Sequence, residues 1–317
     1  MEVGIIRGCS RIIGLRAIGA APRPISACGR PSLSGNVGMD LGGRTRLLGI
    51  VGHPVGHSLS PRMHNASFAA TGLDYVYVPL EVRLEDLPAA VNGLRALRFR
   101  GFNVTMPHKQ TILPLLDGLD EVAALTGAVN TVVAEEGGLR GTNTDGSGFV
   151  EACEEAGVGL DGARILLVGA GGAAASIAVA VLGEGARDLR ILNRSRWRAV
   201  KLRERLWGAY PGAGISLHDA TDPEGAARGA DVIVNATYLG MKDEDPLPMP
   251  IGRLVTKAAV CDAVYRPGGE TRFIRLARER GLPVVSGARM LLYQGVQAQR
   301  IWTGKEPDIR AMSDALS

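Results

Sequence analysis

From residue 46 onward, short apolar runs alternate with longer stretches whose apolar positions recur about every three or four residues. The runs 47–51, 75–80 and 100–104 have the length of strands, and the intervening stretches 61–71 and 84–97 have helical spacing. Strands alternating with helices predict a parallel sheet. After Pro107 two helical pieces are expected, then a strand pair, 129–134 and 139–142, folded around the turn "EEGG". A helix over 146–157 leads into a second unit. It opens at residue 163 with a strand, a Gly-rich turn and an Ala-rich helix, and continues through strands 189–192, 232–234, 259–262 and 284–285. Helices 196–209 and 271–280 lie between those strands, and helix 288–303 and a last helix after Pro307 end the pattern.

Composition sharpens this picture in a few places. A chain of 317 residues is long enough for two domains at roughly 150 residues each, and 46% hydrophobic residues supply a core. Residues 1–38 hold five Arg and one acid, Glu2, so the formal charge of +4 resides there and 39–317 balance at zero. A neutral body argues against nucleic acid as a partner, which needs a basic stripe to neutralise phosphates. No apolar run reaches the length of a membrane span. The leader 1–45 is expected outside the fold, as a transit peptide, a disordered tail, or a stretch upstream of a start at Met39. The start at Met39 is preferred, because the first strand follows closely. Cys9, Cys28, Cys153 and Cys261 are scattered and His53, His57, His64, His108 and His218 form no ligand motif, so neither a disulfide framework nor a metal is expected. Cysteine usage fits a reducing compartment and a cytoplasmic location.

The Gly-rich turn carries the first chemistry. Gly169, Gly171 and Ala174 match G-x-G-x-x-G/A directly after a strand and at the start of a helix. The first Gly permits the tight turn, the second lets backbone N–H groups approach a pyrophosphate, and the third small residue lets helix and strand pack closely. About 20 residues on, an NAD binder places an acid on the ribose 2′-hydroxyl. Here Asn193, Arg194 and Ser195 stand at that strand end, with Arg198 expected one helical turn beyond Arg194 on the same face. Guanidiniums suit a 2′-phosphate. The pattern therefore predicts NADP; a solvated basic helix face, carrying Arg196 and Lys201 too, is the alternative for any single Arg, and position at the strand end favours Arg194.

Eight strings, in order, resemble the shikimate dehydrogenases: "GHPVGHSLSP" (52–61), "GFNVTMPHK" (101–109), "GAVNT" (127–131), "GTNTDG" (141–146), "VGAGGAA" (168–174), "NRSRWRA" (193–199), "VNATYLGM" (234–241) and "GARMLLYQG" (287–295). The resemblance runs from about residue 46 to 304. It implies a two-domain α/β fold: a substrate domain of 46–145 plus 288–317 facing, across a cleft, a Rossmann-type NADP domain of 146–287. It also implies NADPH-dependent, reversible reduction of 3-dehydroshikimate to shikimate, on the route to chorismate and the aromatic amino acids.

Hydride reduction of a ketone creates an alkoxide, which needs a proton donor. Lys109, expected at a helix start, and Asp145, expected at a strand end, are far apart in sequence, and position alone does not separate Lys109 from a surface lysine. The resemblance assigns them as the catalytic pair. Ser58 and Ser60 alternate before Pro61, so two hydroxyls could hold a carboxylate, or Ser60 could cap the following helix, or both. The resemblance gives them the shikimate carboxylate, with Tyr265, and gives Asn103, Thr105, Asn130 and Gln294 the ring hydroxyls, alongside Lys109 and Asp145. It assigns the cofactor to Gly169, Ala170, Gly171, Gly172, Ala173, Ala174, Asn193, Arg194, Ser195, Arg198, Asn235, Ala236 and Thr237, with Ala263, Gly287 and Met290 beside the nicotinamide. The histidines read as loop or packing residues and Asp262 as structural. Two positions depart from the family's pattern: Tyr238, where Pro is usual, and Gln299, where an aromatic is more usual. The partners expected are small molecules only, with the protein a monomer or homodimer. Two alternatives stay open: a quinate/shikimate dehydrogenase of broader specificity, and a non-catalytic metabolite sensor.

Overall fold

The computed structural model describes residues 41–317 apart from Asp243 and Val255, so the expectations for the leader up to residue 40 lie outside the described residues. Strands β1 (Arg46–Gly52), β2 (Tyr75–Glu81) and β3 (Gly101–Val104) are parallel, with β1 in the middle. The remainder of this sheet departs from the parallel pattern at the strand pair expected around the turn "EEGG". Strand β4 (Gly118–Leu119) is a two-residue edge piece, and β5 (Thr131–Glu135) runs antiparallel to both β3 and β6 (Gly138–Thr142). Only Glu136 and Gly137 separate β5 from β6. So short a link makes a hairpin, whereas parallel neighbours need a crossover of about a dozen residues. The sheet order is β2-β1-β3-β5-β6-β4. Reversing β5 brings the carboxyl ends of β1, β3 and β6 and the amino end of β5 to one edge, with Asn103 opposite Thr131 and Thr131 opposite Thr142.

The second sheet comprises β7 (Arg164–Val168), β8 (Asp188–Leu192), β9 (Gly214–His218), β10 (Val232–Asn235), β11 (Ala259–Asp262) and β12 (Val284–Val285). All are parallel, in the order β12-β11-β10-β7-β8-β9. This is the doubly wound dinucleotide-binding order, whose crevice opens where the order reverses, between β7 and β10. The central strands β7, β10 and β11 are apolar for most of their length because both faces are covered. Ile165, Leu167, Leu189, Ile191 and Val234 face one core cluster, while Leu166, Val168, Leu192, Ile233 and Val260 face another.

Ten helices are seen among the described residues: α1 (Ser60–Thr71), α2 (Leu87–Ala96), α3 (Glu121–Thr126), α4 (Asp145–Glu155), α5 (Gly172–Gly183), α6 (Arg196–Ala209), α7 (Pro223–Ala227), α8 (Arg272–Glu279), α9 (Gly287–Thr303) and α10 (Ile309–Asp314). The first of the two helical pieces expected after Pro107 is instead a series of turns ending in the 3-10 segment Leu113–Leu115, so Lys109 is on a turn and not at a helix start. Asp145 ends no strand; it is the first residue of α4. Helix α9 returns to the first sheet: the buried Trp302 donates from Nε1 to Val132 O at 2.9 Å. It crosses α4 closely, since a Cβ at Gly148 would stand 2.4 Å from the backbone nitrogen of Gln294.

Candidate active site

The shared edge of the first sheet gathers residues from four loops around one cavity of about 170 Å³. Ser60, Asn103, Thr105, Lys109, Asn130, Asp145, Tyr265 and Gln294 all line it, with Ala173, Ala263, Gly287 and Met290 contributed by the second sheet's loops and by α9. Lys109 Nζ donates to Asp145 Oδ2 at 2.5 Å, and Asp145 Oδ1 accepts from Asn130 Nδ2 at 2.8 Å. The Asp145 side chain is 7% exposed and that of Lys109 22%. A buried carboxylate needs such partners, and its place at the amino end of α4 adds the favourable helix dipole. The backbone N–H of Asp145 is in turn held by Asn143 Oδ1 at 3.0 Å.

A second layer fixes the amides. Asn103 donates from Nδ2 to Asn130 O and Thr131 Oγ1, and its Oδ1 accepts from the Tyr77 hydroxyl at 2.7 Å. Asn130 Nδ2 also reaches Thr144 Oγ1 and Gln294 Oε1, while Gln294 Nε2 donates to Leu291 O. Tyr77, Thr131, Asn143 and Thr144 were not singled out by sequence. Thr131, Asn143 and Thr144 lie inside the quoted strings, but Tyr77 reads only as an apolar strand position, and its hydroxyl becomes relevant once β2 is placed.

Ser60 does not cap α1. Leu59 occupies the cap position without a side-chain bond, and the Ser60 hydroxyl pairs with Tyr77. Ser58 lines an adjoining pocket with His57, Tyr238 and Thr237, and Tyr265 lines both pockets. The Ser58 hydroxyl and the Leu59 backbone N–H both meet the Tyr265 phenol, whose pKa is raised by burial against these two bonds.

The dinucleotide turn has the shape its glycines predict. Gly169 has φ 126°, and a Cβ there would come within 2.8 Å of Ala236 O. Gly171 caps α5, and a Cβ on it would point into open space, a cradle left clear in front of the helix amino end. Such a cradle fits a pyrophosphate. Ala174 is fully buried against the sheet. A Cβ on Gly172 would lie 3.7 Å from Lys109 Cβ and Cδ and 3.3 Å from Ala128 Cβ, so the turn packs on the stem of Lys109.

At the end of β8, Asn193 Nδ2 donates to Ser195 O at 2.9 Å. Helix α6 begins at Arg196 after its cap Ser195, so Arg194 precedes the helix and does not share a helical face with Arg198. Arg198 instead lies over the exposed Trp197, 5.2 Å from the ring centre. Asn235 is buried and spent within the protein: Nδ2 donates to Asp262 Oδ1 and Leu239 O, and Oδ1 accepts from Thr237 N and Oγ1. Its side chain therefore shapes the 236–239 loop and has no bond left for a ligand. Asp262 is structural, bonded to Asn235, Thr271 and Val264 N, and burial raises its pKa to about 6. His64 is fully buried against Tyr77 and Trp302, and burial lowers its pKa to about 4. Gln299, the departure from pattern, bonds His64 and Ser67.

Comparisons with known proteins agree with this geometry. Three family profiles match: a shikimate dehydrogenase substrate binding domain over 50–132, a shikimate/quinate 5-dehydrogenase over 151–240, and a shikimate 5′-dehydrogenase C-terminal domain over 287–316. A shikimate dehydrogenase (NADP(+)) of Rubrobacter xylanophilus is 60% identical over 276 residues, 87% of this chain and 96% of the relative. Among solved structures, shikimate 5-dehydrogenase of Listeria monocytogenes, in complex with shikimate and NAD, superposes with a TM-score of 0.81 at 37% identity, covering 89% of this chain and 99% of that one. The Thermus thermophilus enzyme, in complex with NADP(H) and shikimate, gives 0.76 at 38% identity, covering 86% and 98%. With a two-domain α/β frame, a dinucleotide cradle and a Lys–Asp pair at one cavity, and with relatives matched over nearly their whole length, this chain belongs to the shikimate dehydrogenase family.

Proposed function

We propose that the protein is an NADP-dependent shikimate dehydrogenase that interconverts 3-dehydroshikimate and shikimate, with Lys109 moving the proton. The observation that carries this reading is the Lys109–Asp145 pair at the cavity, with the Gly172 turn packed on the Lys109 stem. The substrate half is 46–145 with 288–317, and the dinucleotide half is 146–287. The backbone of 169–174 holds the pyrophosphate, and Arg194 and Arg198 hold the 2′-phosphate. Ala263, Gly287 and Met290 border the ring, and NADPH bound there supplies hydride to the ketone carbon. Ser58, Ser60 and Tyr265 take the substrate carboxylate, and Asn103, Thr105, Asn130, Asp145 and Gln294 orient the ring hydroxyls.

In the reductive direction the Lys109 ammonium gives its proton to the forming alkoxide; in the reverse direction the amine takes the hydroxyl proton. Asp145 holds Lys109 and a ring hydroxyl together, so the donor is already aimed when substrate arrives. The enzyme works in the cytoplasm on small molecules, without a nucleic-acid or membrane partner, as a monomer or homodimer. Substituting Lys109→Ala is expected to lower kcat by about 10²- to 10⁴-fold while changing the shikimate affinity little. Steady-state kinetics beside direct binding checks this, and unchanged kcat removes Lys109 as the proton carrier.

A further inference from the structure

Helix α3 connects strands of the first sheet and α6 those of the second; Leu125 of α3 packs on the core that holds Leu202 and Leu206 of α6, and beside it one polar side chain ties the two helices. Arg205 of α6 donates from Nη1 to Thr126 O at 2.5 Å. Its guanidinium lies on Gly127, where a Cβ would stand 2.4 Å from Nη1. Thr126 is the last residue of α3 and Gly127 its left-handed cap, with φ 59°. A cation on that carbonyl end is favoured by the helix dipole and satisfies an acceptor that lacks an intrahelical partner. No acidic partner of Arg205 occurs among the described residues.

The chain on each side of this contact leads to one of the two binding sites. On one side, α6 runs back from Arg205 to Arg198 and its start at Arg196, with Arg194 just before it. Beyond Gly127, Val129 N donates to Lys109 O at 2.8 Å and Asn130 holds Asp145. We propose that Arg205 is a positioning residue, a latch that ties the dinucleotide half to the loop carrying Asn130 and so makes cofactor and substrate bind cooperatively. This rests on the reading above that NADP lies on the second half and shikimate on the first. Coupling of this kind is reciprocal: whatever factor NADPH gains for shikimate, shikimate gains for NADPH.

The test uses NADPH with shikimate, both already reduced, so that no hydride moves. Titration calorimetry measures shikimate affinity with and without saturating NADPH, in the full chain and in Arg205→Met and Arg205→Gln. In the unmodified protein NADPH tightens shikimate binding. In both variants that tightening falls by about fivefold or more, while affinities for each ligand alone stay within about twofold and the unliganded melting temperature is unchanged. A merely structural role would move melting and single-ligand affinities and leave the ratio alone. An unchanged ratio in either variant, or no tightening in the unmodified protein, overturns the latch. If neither ligand binds the unmodified protein, it is the functional reading that fails.

Discussion

Arg194 stands at the strand end where a dinucleotide fold meets the ribose, and among the described residues no ion pair or hydrogen bond engages it. A guanidinium left free at that place is available for a 2′-phosphate, and charge-assisted bonds of that type contribute about 1.5–3 kcal/mol. Arg194→Ala is therefore expected to raise the NADP KM about tenfold or more and to leave the NAD KM within about twofold, measured with shikimate saturating. Equal effects on both cofactors would remove the 2′-phosphate role. The residues at this scale were largely legible, because Gly169, Gly171, Lys109 and Asp145 occur in strings with fixed order. What stayed hidden was orientation. A helical i, i+4 face was assumed for Arg194 and Arg198, and Ser195 caps the helix between them; Ser60 offered capping chemistry, and its hydroxyl turned to Tyr77.

Among elements, α4 is the one on which the site depends, since it carries Asp145 at its amino end and packs on both α5 and α9. Glycine makes this packing possible: a Cβ at Gly146 would meet Ser176 O at 2.5 Å, and one at Gly148 would meet Gln294 within 2.7 Å at three atoms. Gly148→Ala is expected to destabilise the protein by about 1–3 kcal/mol through overpacking, and to weaken shikimate binding by displacing Gln294. Chemical denaturation with a binding titration checks both, and an unchanged midpoint would mean that the crossing is looser than the geometry gives. The parallel second sheet was readable because its central strands are continuously apolar. Strand β9 was missed because "GISLH" sits at an edge, with four of its five residues only half buried and one exposed, so neither alternation nor an apolar run marks it. Two-residue β4 and five-residue α7 are too short for any period to show. The antiparallel β5 follows from its two-residue link to β6, a cue that outweighs the strand–helix alternation elsewhere.

Across the whole molecule, two buried groups give stability a distinctive pH dependence. His64, with a pKa near 4 folded against 6.5 as the ordinary value, stays neutral in the core. The unfolded chain binds its proton first, so His64 costs stability as pH falls from about 6.5 to 4. Asp262, near 6 folded against 3.8, does the reverse: the folded state binds the proton first, so stability rises as pH falls from about 6 to 4. Each is on the order of 3 kcal/mol, and they oppose one another between about pH 4 and 6. Urea midpoints should therefore change less with pH in the unmodified protein than in either variant. His64→Phe should gain stability as pH falls through that window and Asp262→Asn should lose it; slopes of the same sign in both would contradict the assignment. At this scale too, the proposed function needs one cleft to join an NADP cradle to a proton-transferring Lys–Asp pair for shikimate. The most direct test follows the absorbance of reduced nicotinamide in the purified protein with shikimate or quinate, each crossed with NADP or NAD. Rapid turnover is expected with shikimate and NADP, and far slower turnover in the other three combinations. Comparable turnover with quinate or NAD would contradict the stated specificity, and no turnover in any combination would contradict the enzyme itself.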